Sequence, residues 1–95
     1  MILVLPEKVY IQNPDYVWKD LKEDIVLLNP KTGDYFGLNP VAASFWKQLD
    51  GDTAEIDIIT RLLDEFEIDR ETLEEDIGEL VSKLIENGLI SRKES

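Results

Sequence analysis

The run Asp24-Ile25-Val26-Leu27-Leu28-Asn29-Pro30-Lys31-Thr32-Gly33-Asp34-Tyr35-Phe36-Gly37-Leu38-Asn39-Pro40 constrains the fold more than any other stretch of the chain. Ile25, Val26, Leu27 and Leu28 are apolar at consecutive positions, which suits a strand that wants cover on both faces. One face should meet helices; the other needs the amino-terminal segment, a partner or a second copy of the chain. The turn Asn29-Pro30-Lys31-Thr32-Gly33 offers a fixed φ at Pro and ready access to positive φ at Gly, the chemistry of a hairpin. Asp34–Leu38 then returns antiparallel, with Tyr35 and Gly37 on one face and Phe36 and Leu38 on the other. Asn39 and Pro40 open a helix at once, the first as its cap and the second at a position where a missing N–H costs nothing. Two strands that run straight into a helix leave one strand edge unpaired, and Asp34 is the only charge guarding it.

Ninety-five residues suffice for one small domain, and an apolar fraction of 43% can fill a single core. The chain has neither cysteine nor histidine, which removes thiol nucleophiles, disulfides, Cys/His zinc sites and imidazole acid–base chemistry. Met1-Ile2-Leu3-Val4-Leu5 is too short for a signal-peptide core or a membrane span, so a soluble cytoplasmic protein without a membrane partner is expected. The net charge of −11 is unevenly spread. Residues 1–38 hold four Lys and six acids, whereas residues 39–95 hold six Lys and Arg and fifteen acids. The second part therefore repels nucleic acid and favours a basic partner, or simply keeps the domain in solution.

Strands are expected at Lys8–Gln12 and Tyr16–Asp20, separated by the turn signal Asn13-Pro14-Asp15. After the hairpin come three helices. The first carries Val41, Ala42, Phe45, Trp46 and Leu49 on one face and ends at Asp50-Gly51. Asp52 and Glu55 have the spacing of a capping box for the second, whose apolar face is Ile56, Ile59, Leu62, Leu63 and Phe66. Asp69 caps the third, in which Leu73, Ile77, Leu80, Val81, Leu84 and Ile85 recur at spacings of three and four. Asn87-Gly88 stops it, and Leu89-Ile90 packs the tail back. The expected fold is α+β and winged helix-turn-helix-like: an N-terminal three-stranded antiparallel sheet followed by three helices.

Catalytic chemistry finds little to work with. Gly33 and Gly37 are too few and too far from a helix start to cradle a phosphate. Glu74-Glu75-Asp76 and Asp64-Glu65 point about 100° apart along a helix and do not converge on one cation. No metal, cofactor or enzymatic activity is expected. A winged helix raises DNA binding, but the helix that would enter the groove, Arg70–Asn87, sets Arg70 and Lys83 against Glu71, Glu74, Glu75, Asp76, Glu79 and Glu86. Peptide binding fits better, because a visiting strand gains main-chain hydrogen bonds along an open edge and side-chain pockets beside it. Tyr35, Phe36 and Leu38 also read as ordinary core residues of a hairpin, so the edge itself carries the argument.

The same hairpin and helix start, with Ala43, Phe45-Trp46, the Gly51 turn, Ile59, Asp76, Leu80, Leu84 and Gly88-Leu89-Ile90, resembles the PqqD-like family over about residues 16–91. This family supplies the precursor-peptide recognition elements of ribosomally made, post-translationally modified peptide pathways. The Tyr-Phe-Gly-Leu-Asn-Pro segment is most similar to the small stand-alone members of lasso-peptide gene clusters. The resemblance implies a peptide chaperone that holds a precursor's leader as an added strand and delivers it to a processing enzyme. It implies a strand side of Asp34, Tyr35, Phe36, Gly37 and Leu38. The helix side it implies is Leu73, Asp76, Ile77, Leu80 and Lys83, with Asp76 available to a polar or cationic leader side chain. Residues 16–95 would form this domain and residues 1–15 an extension with an extra strand. That extension covers the sheet, exchanges strands to give a homodimer, or occupies the groove. A regulatory winged-helix or protein-interaction domain, and a domain that only dimerises through its edge, stay open as alternatives.

Overall fold

The computed structural model describes residues 8–93. Its elements in chain order are β1 (Tyr10–Gln12), β2 (Val17–Leu21), β3 (Asp24–Leu28), β4 (Tyr35–Leu38), α1 (Pro40–Lys47), α2 (Glu55–Glu65), α3 (Arg70–Glu86) and β5 (Ile90–Arg92). Strands β2, β3 and β4 form one antiparallel sheet in that order, with Val17 opposite Leu28 and Leu28 opposite Tyr35. Cross-strand partners share a face. The inner face is therefore the rows Trp18–Leu27–Phe36 and Asp20–Ile25–Leu38, and the outer face the rows Val17–Leu28–Tyr35 and Lys19–Val26–Gly37. Ile25, Leu27 and Leu38 are buried against the helices together with Ala43, Phe45, Trp46, Ile58, Leu62, Leu73, Ile77, Val81 and Leu84. The turn between β3 and β4 follows its sequence: Gly33 takes φ +81°, its N–H donates to the Asn29 carbonyl, and Asn29 Oδ1 accepts from the Lys31 N–H.

Local capping explains where α1 and α3 begin. Asn39 Oδ1 accepts the Ala42 N–H at 2.9 Å with Pro40 at the first position. Asp69 accepts the Thr72 N–H at 3.0 Å and its hydroxyl at 2.7 Å, and these bonds hold its carboxyl below the usual carboxylate range. The capping box expected at Asp52 does not form: α2 starts after Ala54 with no side-chain cap. Main chain does the work instead, for the Glu55 N–H donates to the Lys8 carbonyl at 2.7 Å. Asp50, not Asp52, organises the loop by accepting the N–H groups of Asp52 and Thr53. The apolar face of α2 is also turned from the expected one. Ile58 is buried and Ile56 is exposed, since both positions satisfy a helical stripe and only packing chooses between them.

A second sheet was not legible as such. Among the described residues, the amino-terminal stretch contributes β1, which pairs antiparallel with β5, with Tyr10 opposite Arg92 and Gln12 opposite Ile90; residues 1–7 lie outside the described residues. The tail after Gly88 is thus a strand and not merely a packed end. Neither element covers the outer face of the three-stranded sheet, where Val17 is 57% and Tyr35 73% exposed.

Candidate peptide-binding groove

The edge is built by hydrogen-bond parity. Bonded and non-bonded pairs alternate along an antiparallel ladder. The Asn29 N–H donates to the Asp34 carbonyl at 2.8 Å, so the pair one step beyond β3 and β4 is a bonded one. Counting inward in twos, Leu27–Phe36 and Ile25–Leu38 are bonded pairs as well. The N–H and C=O of Tyr35 and Gly37 consequently point away from β3. Since β4 ends the sheet, these four groups have no strand partner among the described residues. A visiting antiparallel strand meets them as two bonded pairs.

Beside this edge lies a cleft of about 340 Å³ between the start of α1 and one flank of α3. Asn39, Val41 and Ala42 line it from α1, and Asp76, Ile77, Glu79, Leu80 and Lys83 from α3. Its interior is aliphatic and its rim charged, which suits an apolar side chain bordered by polar ones.

The ten residues named from the sequence fall into distinct places. Asp76, Ile77, Leu80 and Lys83 come together in the cleft. Phe36 is half-buried on the inner face, and Leu38 is buried beneath the edge. Tyr35 and Gly37 present the free main chain while their side-chain positions lie on the outer face. A Cβ added at Gly37 meets nothing within 4 Å, so the chain's own packing does not demand glycine there. Asp34 sits just before the strand, bonded to Thr32 Oγ1 through its N–H and its carboxylate. Leu73 is fully buried and backs the helix from the core. Asn39, Val41, Ala42 and Glu79 were missed. Glu79 completes the spacing 76, 79, 80, 83 along one helix flank, whereas Asn39 reads as a cap alone and Val41 and Ala42 as core.

The family profile of coenzyme PQQ synthesis protein D (PqqD) matches residues 24–90, which span the hairpin, all three helices and the first residue of β5. This chain belongs to the PqqD family. Two solved structures share its fold and most of its length. TbiB1 in complex with the TbiA(beta) leader peptide is 26% identical, with a TM-score of 0.76 over 88% of this chain and 98% of that one. A lasso peptide synthetase B1 complexed with the leader peptide is 30% identical, with a TM-score of 0.75 over 86% of this chain and 96% of that one. No curated protein matches in sequence. The PqqD match begins at Asp24, so β1 and β2 lie outside the matched stretch.

Proposed function

We propose that this PqqD-family chain is a non-enzymatic cytoplasmic protein that binds the leader of a ribosomally made precursor peptide. The leader adds as a strand to β4 and is delivered to a processing enzyme, a protease or cyclase, in a lasso-type pathway. The observation that carries this reading is the pair Tyr35 and Gly37, whose four main-chain groups face an open edge beside an aliphatic cleft. Two relatives of this fold are complexes with leader peptides, which supports the same ligand class here. Asp34 to Leu38 would supply the strand side. Asp76, Ile77, Leu80 and Lys83 would supply the helix side with Leu73 behind them, in an arrangement we read as winged helix-turn-helix-like. The acidic α3 argues against nucleic acid as the ligand.

Delivery needs a second surface that stays free once the groove is filled. The outer sheet face meets that need, with Val17, Leu28 and Tyr35 aligned and exposed across three strands. Such a contiguous apolar patch on a chain of this net charge suits a protein partner.

The test is a titration of the protein with a synthetic leader of a lasso-type precursor, read by calorimetry or by the fluorescence of Trp18 and Trp46. Saturable binding in the micromolar range is expected. A Kd no tighter than about 1 mM, equivalent to ~−4 kcal/mol, would remove the proposal.

A further inference from the structure

Groove chemistry and groove width are set by different residues. On the leader-binding reading, a docked peptide lies between β4 of the hairpin and the cleft flank of α3, so the separation of these two walls depends on whatever ties one to the other. At one end the start of α1 spans the gap through Val41 and Ala42. At the other end stands Tyr16. Its hydroxyl donates to the Asn87 carbonyl at the end of α3, at 3.1 Å, and accepts from Asn29 Nδ2 at the start of the hairpin turn, at 3.2 Å. One oxygen thus bridges the two walls.

Both anchors are themselves immobilised. Asn29 commits its N–H to Asp34, its carbonyl to Gly33 and its Oδ1 to Lys31, so a pull on its Nδ2 is a pull on the whole turn. Asn87 returns its N–H and its Nδ2 to the Lys83 carbonyl, one turn back on the wall that lines the cleft. The Tyr16 ring is half-buried against the core, and the Tyr16 N–H donates to the Asn13 carbonyl. Asn13 holds the same helix end through bonds to the Gly88 and Leu89 carbonyls, at 2.8 Å each. The apolar face of α3 fixes the helix on the core, while this strut fixes how far its last turns stand from the hairpin. A 17-residue helix is stiff, so its end controls the tilt of the whole wall.

We infer that Tyr16 is a positioning residue: its hydroxyl sets the distance between β4 and α3, and through it the affinity for the peptide, without touching the peptide. The inference rests on the leader-binding reading of the groove. The experiment compares wild type, Tyr16→Phe, Asn29→Asp and the double variant by anisotropy of a fluorescently labelled synthetic leader of a lasso-type precursor. Thr53→Val, which removes a hydroxyl bond to Asp50 on the remote loop before α2, is the stability control. Tyr16→Phe is expected to weaken binding about five-fold or more, mainly through faster dissociation, with a melting temperature like that of the control. Asn29→Asp keeps the acceptor for Lys31 and loses the donor to Tyr16, so the double variant should match the worse single one within about two-fold. Binding by Tyr16→Phe within about two-fold of wild type, or an equal loss in Thr53→Val, overturns the strut and leaves leader binding standing. A wild-type protein that ignores the leader removes both. Should Tyr16→Phe fail to fold, Asn29→Asp is held to the same criterion.

Discussion

Gly37 is where the proposal is most exposed to a single substitution. Its N–H points to the open edge, so a proline there deletes a donor that no element among the described residues uses. Proline is tolerated on an edge strand whose N–H faces solvent. Gly37→Pro should therefore fold, with far-UV circular dichroism and melting close to wild type, and bind leader about ten-fold or more weakly, since one main-chain bond and close approach are both lost. Phe36→Pro, one residue away, removes a bond to β3 and should destabilise the hairpin instead. Intact leader binding by Gly37→Pro would mean that the peptide does not add to β4. The contrast between neighbours is the signature of strand addition, because glycine at position 37 offers a peptide no side chain to recognise.

Between elements, the telling contact is Tyr10 on β1 with Glu55 on α2. The phenol is buried and its hydroxyl donates to Glu55 Oε1 at 3.3 Å. Burial first, then the adjacent carboxylate charge and the hydrogen bond to it, push its pKa from 10.0 up to about 12. The neutral phenol is the form the fold prefers. Its contribution is complete below pH 10.0, the unfolded value, and is lost as pH rises toward about 12. Denaturant melts should therefore show wild type losing more stability than Tyr10→Phe between those two pH values, and parallel curves would contradict the assignment. What the sequence disclosed follows the same division between local and distant causes. The β3–β4 hairpin, α1 and α3 were legible because Asn29 to Gly33, Asn39 and Asp69 act on neighbours a few residues away. The β1–β5 pairing was not, since each strand is three residues long and its partner lies at the other end of the chain. The start of α2 was misread for the same reason: the Lys8 carbonyl, forty-seven residues earlier, took the place of a local cap. In the groove, the aliphatic wall of α3 was readable from its period, but the contribution of Val41 and Ala42 depended on how α1 leans on α3.

At the scale of the whole molecule, the two parts of the chain carry unequal charge. The acids concentrate on the helices, and the outer sheet face gathers Val17, Leu28 and Tyr35. If that face receives the processing enzyme, a Val17→Lys, Leu28→Lys double variant should keep leader affinity within about two-fold, because neither side chain lies on the inner face or in the cleft. It should lose about ten-fold or more in enzyme association and in leader removal, as expected for charges placed in an apolar interface centre. Calorimetry with leader and enzyme in separate titrations distinguishes the two effects. Unchanged enzyme association would return the face to solvent, and sedimentation of the free protein tells whether a second copy occupies it instead.

The two short strands that close on each other, β1 and β5, have a practical corollary. Lys8, next to β1, borders a different depression from the cleft, together with Glu74, Gly78, Val81 and Ser82, which lie on the far flank of α3 from Asp76, Leu80 and Lys83. The Lys93 N–H donates to the Val9 carbonyl, so the other end of the described chain departs from the same place. A dye attached to the side chain of Lys8 is anchored behind the helix, away from the docking lane.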